Sequence, residues 1–219
     1  MIRLDVEQGS EAWYKARLGI PTASRFDEII TPSKWQLSKS STRYAHELIA
    51  STILGYDVNM VSSGFMTRGV ELEQKAVDYY ELHHDRETEQ VGFILRDDGH
   101  VGCSPDRLVG DDGLLEIKCP SAAVHIGYLL NESIGYTAQV QGQLWLTERA
   151  WCDTLSYNPD LPSCIVREER NEDVIRKLSE AVDQFLNHVW DLKASLVYRG
   201  YFPQLAVPAL KLMADEAAA

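Results

Sequence analysis

The spacing of apolar residues changes along the chain, and the first third has helical spacing. Apolar positions three or four residues apart predict helices that start at Ser10 and at Thr22 and continue over residues 44–54 and 69–83. The polar run between Thr31 and Ser41 contains a proline and predicts a mobile loop. This part of the chain is therefore expected to be a set of helices joined by polar connections.

The middle of the chain has short apolar runs separated by turn residues, which is typical of strands. These runs predict strands over residues 91–95, 100–104, 107–109 and 114–118. Pro120 ends the last of them, because proline cannot donate to a sheet ladder. Four successive strands with short turns predict a meander.

Beyond the meander the pattern alternates again between helices and strands. Helices are predicted over 122–131, 134–146 and 171 to about 194, and strands over 151–157 and 164–168. Helices that flank a meander predict an α/β (α+β mixed) fold in three layers, with a central mixed sheet. We expect one domain over residues 1–200 and a C-terminal tail, 201–219, of unclear role.

Composition and charge narrow the function classes. The 219 residues carry a net charge of −12, which argues against nonspecific coating of DNA. One local stretch is basic, however, and we expect it to contact DNA; it carries Lys15, Arg17, Arg25, Lys34, Lys39 and Arg43. The chain has no apolar run of membrane-spanning length and no secretory leader at Met1, so we expect a cytoplasmic protein without membrane contact.

The residues that point to chemistry lie in the meander. Side chains alternate along a strand, so Glu116 and Lys118 should share one face while Ile117 points into the core. Asp106 can lie beside Glu116 on the neighbouring strand. Two carboxylates and a backbone carbonyl suit Mg²⁺, and a pair of such ions can hydrolyse a phosphodiester, with Lys118 as general base or holder of the attacking water.

Glu-x-Lys alone is also typical of an exposed ion pair. The combination with an aspartate ten residues upstream, an intervening turn and a proline stop favours a nuclease site. This is the pattern of the PD-(D/E)xK fold, which has a restriction-endonuclease-like core.

The sequence also resembles a specific family, the lambda-type (YqaJ-like) viral alkaline exonucleases. The resemblance runs from Gln8 to about the end of the last helix. It rests on separated motifs in the same order, which cover residues 7–13, 17–24, 68–73, 103–106, 115–120 and 138–141.

The resemblance implies roles for individual residues at the metal site. Asp106 and Glu116 would hold two Mg²⁺ ions (Mn²⁺ being possible), with the Ile117 carbonyl as a further ligand. Glu73 would contact the second metal. Gln139 would lie over the site and orient substrate, with Gln141 as its rival.

The resemblance also implies a pocket for the 5′-phosphate of the digested strand. Its members would be Arg17, Ser24 and Ser104. Arginine binds phosphate through two parallel hydrogen bonds, and a serine near a helix start places its hydroxyl beside free N–H groups.

The function implied is a processive 5′→3′ exonuclease on linear double-stranded DNA. It would release 5′-mononucleotides and leave a 3′ single strand for an annealing protein, working as a homotrimeric ring. Two other functions remain open. A structure-specific or restriction-type endonuclease on the same fold would cut closed circles, and a nuclease-dead DNA-end-binding module would bind ends without cutting.

Overall fold

A five-stranded mixed sheet lies at the centre of the structure. The computed structural model describes residues 1–59, 64–131 and 134–205, and it gives only the backbone for residues 64–71 and 131. The sheet order is β10-β9-β8-β7-β4. The strands of the structure are β1 (Ile2–Leu4), β2 (Ile30–Thr31), β3 (Gln36–Leu37), β4 (Thr88–Glu89), β5 (Phe93–Leu95), β6 (Gly102–Cys103), β7 (Arg107–Val109), β8 (Gly113–Lys118), β9 (Trp151–Ser156) and β10 (Cys164–Glu169).

Helices cover the sheet on both faces. Their bounds are α1 (Glu11–Arg17), α2 (Phe26–Ile29), α3 (Ser41–Leu54), α4 (Gly64–His84), α5 (Ala122–Asn131), α6 (Thr137–Thr147) and α7 (Glu172–Tyr198). A short 3₁₀ turn over Ala23–Arg25 precedes α2. In the described part of the chain, no helix is long and apolar enough to cross a membrane.

The sheet is mixed because β8 and β9 run parallel while the other neighbours run antiparallel. The crossover between β8 and β9 contains α5 and α6, as a parallel connection requires. The predicted mixed α/β fold with helices around a central sheet is therefore confirmed. The predicted meander of four strands is wrong in part: β7 and β8 pair in this sheet, whereas β5 and β6 pair in a second, three-stranded sheet with the order β1-β5-β6.

Strand β8 separates two hydrophobic cores. Leu114 packs into the larger core, which contains residues of α2, α3, α6 and α7. Leu115 and Ile117 face the other way, into a core that contains Ala76 and Tyr80 of α4. Because side chains alternate, the face that carries Leu114 also carries the polar residues of β8. The two cores thus fix which side of the sheet holds the candidate site.

Helix α7 closes the larger core. Its N-cap is Asn171, whose side chain accepts a hydrogen bond from Val174 N at 3.2 Å. Residues on its buried face follow helical spacing, and they include Ile175, Leu178, Val182, Phe185 and Val189. The helix extends to Tyr198, four residues beyond the predicted end.

The first third differs from its prediction in two places. The helix predicted from Thr22 is only the 3₁₀ turn and one turn of α2, since Ile30 already begins β2. The predicted mobile loop contains the hairpin of β2 and β3, and Trp35 and Leu37 pack against the larger core. The side chains of Trp35 and Leu37 therefore pack this hairpin against the core that contains α7, although most of its residues are polar.

Other boundaries moved by a few residues. Helix α3 begins at Ser41 and α4 at Gly64, both earlier than predicted, and α6 begins at Thr137, later than predicted. Strands β1 and β4 were not predicted at all. Of the predicted tail, residues 206–219 lie outside the described residues.

Candidate active site

The two carboxylates predicted to share a site lie at the open end of the β7–β8 hairpin. Arg107 pairs with Leu115, so Asp106, just before β7, lies beside the end of β8. Asp106 Oδ2 accepts a hydrogen bond of 2.6 Å from the backbone N–H of Ile117. This bond fixes the Asp106 side chain against the strand that carries Glu116.

Glu116 is a buried carboxylate held by three side-chain donors. Its side chain faces α6, and the residue is 3% exposed. Oε1 accepts hydrogen bonds from Lys118 Nζ and from Gln139 Nε2, both at 2.6 Å. Oε2 accepts a hydrogen bond of 2.7 Å from Gln143 Nε2. Each oxygen of this carboxylate therefore has a partner within the chain.

Lys118 shares the face of Glu116, as strand alternation requires. Its Nζ also lies 3.3 Å from Gln139 Oε1 and 4.2 Å from the centre of the Tyr136 ring. The Gln139 carboxamide thus bridges Lys118 and Glu116. Gln141, the rival to Gln139, points away and bonds to the backbone of Glu169.

Glu73 approaches the site from α4 on the other side of the sheet. Arg107 NH1 donates to Glu73 Oε1 at 3.3 Å and to the carbonyl of Asp106 at 2.7 Å. Arg107 is 7% exposed. A buried guanidinium therefore ties Glu73 to the chain segment that carries Asp106.

The charges at the site interact strongly. Burial, followed by the nearby carboxylates of Glu116 and Glu73, raises the pKa of Asp106 well above its usual value. Burial alone would lower the pKa of Lys118, but the carboxylate of Glu116 outweighs it and raises that pKa. The site thus brings together carboxylates that repel one another, with the ammonium of Lys118 and the guanidinium of Arg107 as neighbouring cations.

Such a donor set fits a divalent cation, which would relieve the repulsion between Asp106 and Glu116. Among the described residues, no group of three or more His, Cys, Asp and Glu side chains is placed to hold an ion. We expect water and the backbone to supply the further ligands. Ile117 is buried as predicted, and its carbonyl role stays a prediction.

A second polar site is built around Arg17, at the end of α1. Its guanidinium lies 4.0 Å from the ring centre of Trp13 and 5.5 Å from that of Phe93, and NH1 lies 3.4 Å from Ser104 Oγ. Trp13 Nε1 also donates to Ser104 Oγ, at 2.9 Å. Burial lowers the pKa of Arg17. In the described part of the chain no carboxylate forms an ion pair with Arg17, which leaves its charge available to an anion.

Ser24 is close to this site along the chain but does not contact Arg17. It is exposed, and its hydroxyl lies 3.2 Å from Thr22 Oγ1. Thr22 lines the same cleft of about 120 Å³ as Arg17, and it forms a bridge to Gly102, two residues before Ser104. The structure thus brings Arg17 and Ser104 together and leaves Ser24 at the edge.

The predicted basic stretch does not behave as one surface. Arg25 stacks on Tyr44 at 3.9 Å and donates to Glu28 and to Glu47, at 2.6 and 2.5 Å. Glu47 also accepts from exposed Arg43, at 3.0 Å. Two carboxylates thus pair with the guanidinium of Arg25, and its contact with DNA stays a prediction.

The other basic residues of this stretch differ in their pairing. Lys15 pairs with Glu11 one turn away on α1. Lys34 and Lys39 are exposed and, within the described ranges, have no acidic partner. Together with Arg17, they are the members of the stretch that remain available for a phosphate.

Sequence reasoning missed four side chains that shape these sites: Trp13, Arg107, Tyr136 and Gln143. Gln143 carried a usable signal, because it lies four residues after Gln139 and so on the same helical face. Arg107 and Tyr136 carried none, since their contacts depend on how α4 and α6 pack on the sheet. Trp13 also carried a signal, because it lies four residues before Arg17 on α1 and so on the same helical face, where its ring contacts the guanidinium.

Comparison with known proteins agrees with this architecture. Residues 12–150 match the family model of the YqaJ-like viral recombinase domain. The structure resembles the alkaline exonuclease LHK-Exo of Laribacter hongkongensis at 34% sequence identity, covering 87% of this chain and 96% of that one, with a TM-score of 0.77. Its complex with dAMP gives a TM-score of 0.80 at the same identity, with 98% of that chain covered.

A phage-related exonuclease from Haemophilus somnus 129PT shares the fold, with a TM-score of 0.67 and 16% identity over 81% of this chain and 96% of that one. No curated protein gives a significant match. The family model covers Asp106, Glu116, Lys118 and the glutamines of α6, and the LHK-Exo match extends over most of the remaining chain. This chain therefore belongs to the YqaJ-like viral recombinase domain family and has the fold of the alkaline exonucleases.

Proposed function

We propose that this chain, an enzyme of the alkaline exonuclease type, digests linear double-stranded DNA from its 5′ ends in the presence of Mg²⁺. The observation that carries the proposal is the position of the unpaired Arg17 relative to the carboxylate pair. Arg17 contacts Ser104, which lies two residues before Asp106. Two residues of extended chain span at most about 7 Å. A 5′-phosphate at Arg17 therefore leaves the next phosphodiester within reach of Asp106 and Glu116.

Each side chain has a defined part in this reaction. Asp106 and Glu116 would hold the metal, together with the Ile117 carbonyl, and Glu73 would serve a second ion. When bound, Mg²⁺ neutralises charge on the scissile phosphate and lowers the pKa of an attacking water. Lys118 contacts that water through its ammonium group, and Gln139 keeps Lys118 next to Glu116 through its two hydrogen bonds.

The Arg17 site gives the reaction its direction. A guanidinium that is desolvated and unpaired gains most from a doubly charged terminal phosphate, which an internal phosphodiester cannot offer. Binding of that phosphate would place one nucleotide between the pocket and the carboxylates. The products are then 5′-mononucleotides and a 3′ single strand, with a new 5′-phosphate at each step.

Processivity requires that the enzyme stay on its DNA. We propose a homotrimeric ring that encloses the duplex, because an acidic chain can hold DNA when its few unpaired cations, such as Lys34 and Lys39, line one lumen. The exposed 3′ strand would pass to a single-strand annealing protein. Membership of a viral recombinase domain family supports a proposed site of action in the cytoplasm of a bacterial host that carries phage DNA. A sedimentation mass near three chains is expected, and a mass near one chain contradicts the ring.

The test is a product time course on three DNAs with Mg²⁺: linear 5′-phosphorylated, linear 5′-hydroxyl and closed circular, each repeated with EDTA. We expect fast release of mononucleotides from the phosphorylated linear DNA, slower release from the hydroxyl form, and an intact circle. Cutting of the circle would replace the exonuclease with an endonuclease on the same fold. Binding of ends without metal-dependent cutting would leave a DNA-end-binding module.

A further inference from the structure

Helix α6 presents two glutamines to the same carboxylate. Gln139 and Gln143 lie four residues apart, so both face Glu116, and their Nε2 atoms donate to its two different oxygens at 2.6 and 2.7 Å. Gln141 lies between them on another face. It donates to Glu169 O at 2.9 Å and accepts from the backbone N–H of Asn171 at 3.0 Å. The helix therefore carries two glutamines directed at the site and one that joins structural elements.

The environment of Gln143 is unusual for a residue that serves packing alone. It is 1% exposed, and its Oε1 is buried without a hydrogen-bond partner among the described residues. An unpaired buried acceptor destabilises a fold, whereas an apolar side chain of similar shape would fill the same space without that cost. By contrast, Gln141 is 3% exposed and uses both ends of its carboxamide.

The other orphaned side-chain atom of the described residues also borders Glu116. It is the hydroxyl of Thr154, on the residue of β9 that pairs with Glu116 in the sheet. Paired residues of neighbouring strands place their side chains on the same face. Both unsatisfied side-chain atoms of the described residues thus lie next to Glu116. Because they do not stabilise the fold, we infer that function rather than stability determines the residues around this carboxylate.

The two oxygens of Glu116 have different surroundings. Oε1 contacts Lys118, whose side chain is 21% exposed, and half-buried Gln139, so it lies on the open side. Oε2 contacts Gln143 on the closed side. The orientation of the carboxylate plane is therefore set by Gln143 on the closed side and by Gln139 and Lys118 on the open side.

We propose that Gln143 is a positioning residue: it holds Oε2 of Glu116 on the buried side and thereby presents Oε1 to the metal. The inference rests on the proposed metal-dependent function and assigns a part to a residue that the motif pattern does not include. Partners that hydrogen-bond a ligating carboxylate typically contribute about 10- to 100-fold in metal affinity. Loss of the Gln143 amide leaves Glu116 free to rotate and so weakens the metal site without removing a ligand.

The test compares Gln143→Met with the matched control Gln141→Met in the full-length protein. The readout is the dissociation constant of Mn²⁺, measured by calorimetry without DNA, together with the thermal midpoint of the metal-free protein. For Gln143→Met we expect Mn²⁺ binding at least tenfold weaker than in the wild type, with a thermal midpoint close to that of the wild type, because removal of the orphaned Oε1 offsets the lost hydrogen bond to Glu116 Oε2. For Gln141→Met we expect a lower thermal midpoint and an unchanged dissociation constant.

A second variant, Gln143→Asn, keeps the amide but is one methylene too short to reach Oε2, and it should weaken Mn²⁺ binding as Gln143→Met does. A change of less than tenfold in both Gln143 variants overturns the proposal, and so does failure of both to fold, since Gln143 would then be required for stability. If the wild type itself binds no Mn²⁺, the metal-dependent function fails as well. Wild-type binding with unaffected Gln143 variants refutes the positioning role alone.

Discussion

The recognition of the 5′-phosphate by Arg17 is the prediction with the most specific consequence. Arg17→Met replaces the guanidinium, which lies against the rings of Trp13 and Phe93 and near Ser104, with an apolar group of similar length. A hydrogen bond between charged groups contributes about 1.5–3 kcal/mol. At 1.4 kcal/mol per factor of ten, one such contact is worth about 10- to 150-fold in kcat/KM.

The assay measures kcat/KM on linear duplexes that differ only in the presence of the 5′-phosphate. We expect the wild type to prefer the phosphorylated duplex and Arg17→Met to lose that preference by the factor above, with little change on the hydroxyl duplex. The fold should survive, because removing a desolvated, unpaired cation in favour of an apolar side chain is neutral or stabilising. Arg17→Lys should give an intermediate preference, since it keeps the charge without the planar fork.

The matched control is Arg43→Met, which removes an exposed arginine of the same basic stretch, bonded to Glu47 on the protein surface. It should leave the preference for phosphorylated ends unchanged. If Arg17→Met keeps the wild-type preference, the Arg17 site does not bind the 5′-phosphate and does not set the direction of digestion.

Three further outcomes follow from buried groups. Since the folded pKa of Asp106 is raised, the metal-free protein should lose stability as pH rises from the unfolded value through the folded one, and Asp106→Asn should flatten this dependence in thermal melts with EDTA. Asp153→Ala should lower the free energy of unfolding in urea by about 2–3 kcal/mol, because Arg167, although partly exposed, and Tyr80 both donate to this buried carboxylate. An unchanged unfolding midpoint would show that these hydrogen bonds do not stabilise the fold. Gly142→Ala should lower the free energy of unfolding by about 1–3 kcal/mol in the same assay, since the added Cβ would lie 2.5 Å from the ring of Phe26. A variant as stable as the wild type would contradict this close packing.

The chemistry-bearing residues were accessible to sequence reasoning because they follow a local rule. Alternation along β8 puts Glu116 and Lys118 on one face, and a short turn returns the chain so that Asp106 lies beside them. Helical spacing similarly predicted α7, although this helix extends to Tyr198. Both inferences need only the period of the element, which a single sequence contains.

What the sequence could not predict depends on contacts between distant segments. The sequence predicted Arg25 to be available to DNA, whereas in the folded chain its guanidinium donates to Glu47, which lies 22 residues away in the sequence. The segment between Thr31 and Ser41 counted as a loop, because the packing of Trp35 on the core is not visible in a polar run. Arg107 reaches Glu73 only through the approach of α4 to the sheet.

The most direct test of the central claim, that Asp106 and Glu116 form a metal-dependent hydrolytic centre, is the turnover of Asp106→Asn. Asparagine can still accept the hydrogen bond from Ile117, so the fold and the Arg17 site should be preserved. The measurement pairs the rate of mononucleotide release from 5′-phosphorylated duplex with the affinity for the same DNA by fluorescence anisotropy. We predict loss of turnover by at least about 1,000-fold with DNA affinity close to that of the wild type. Turnover within tenfold of the wild type would contradict it.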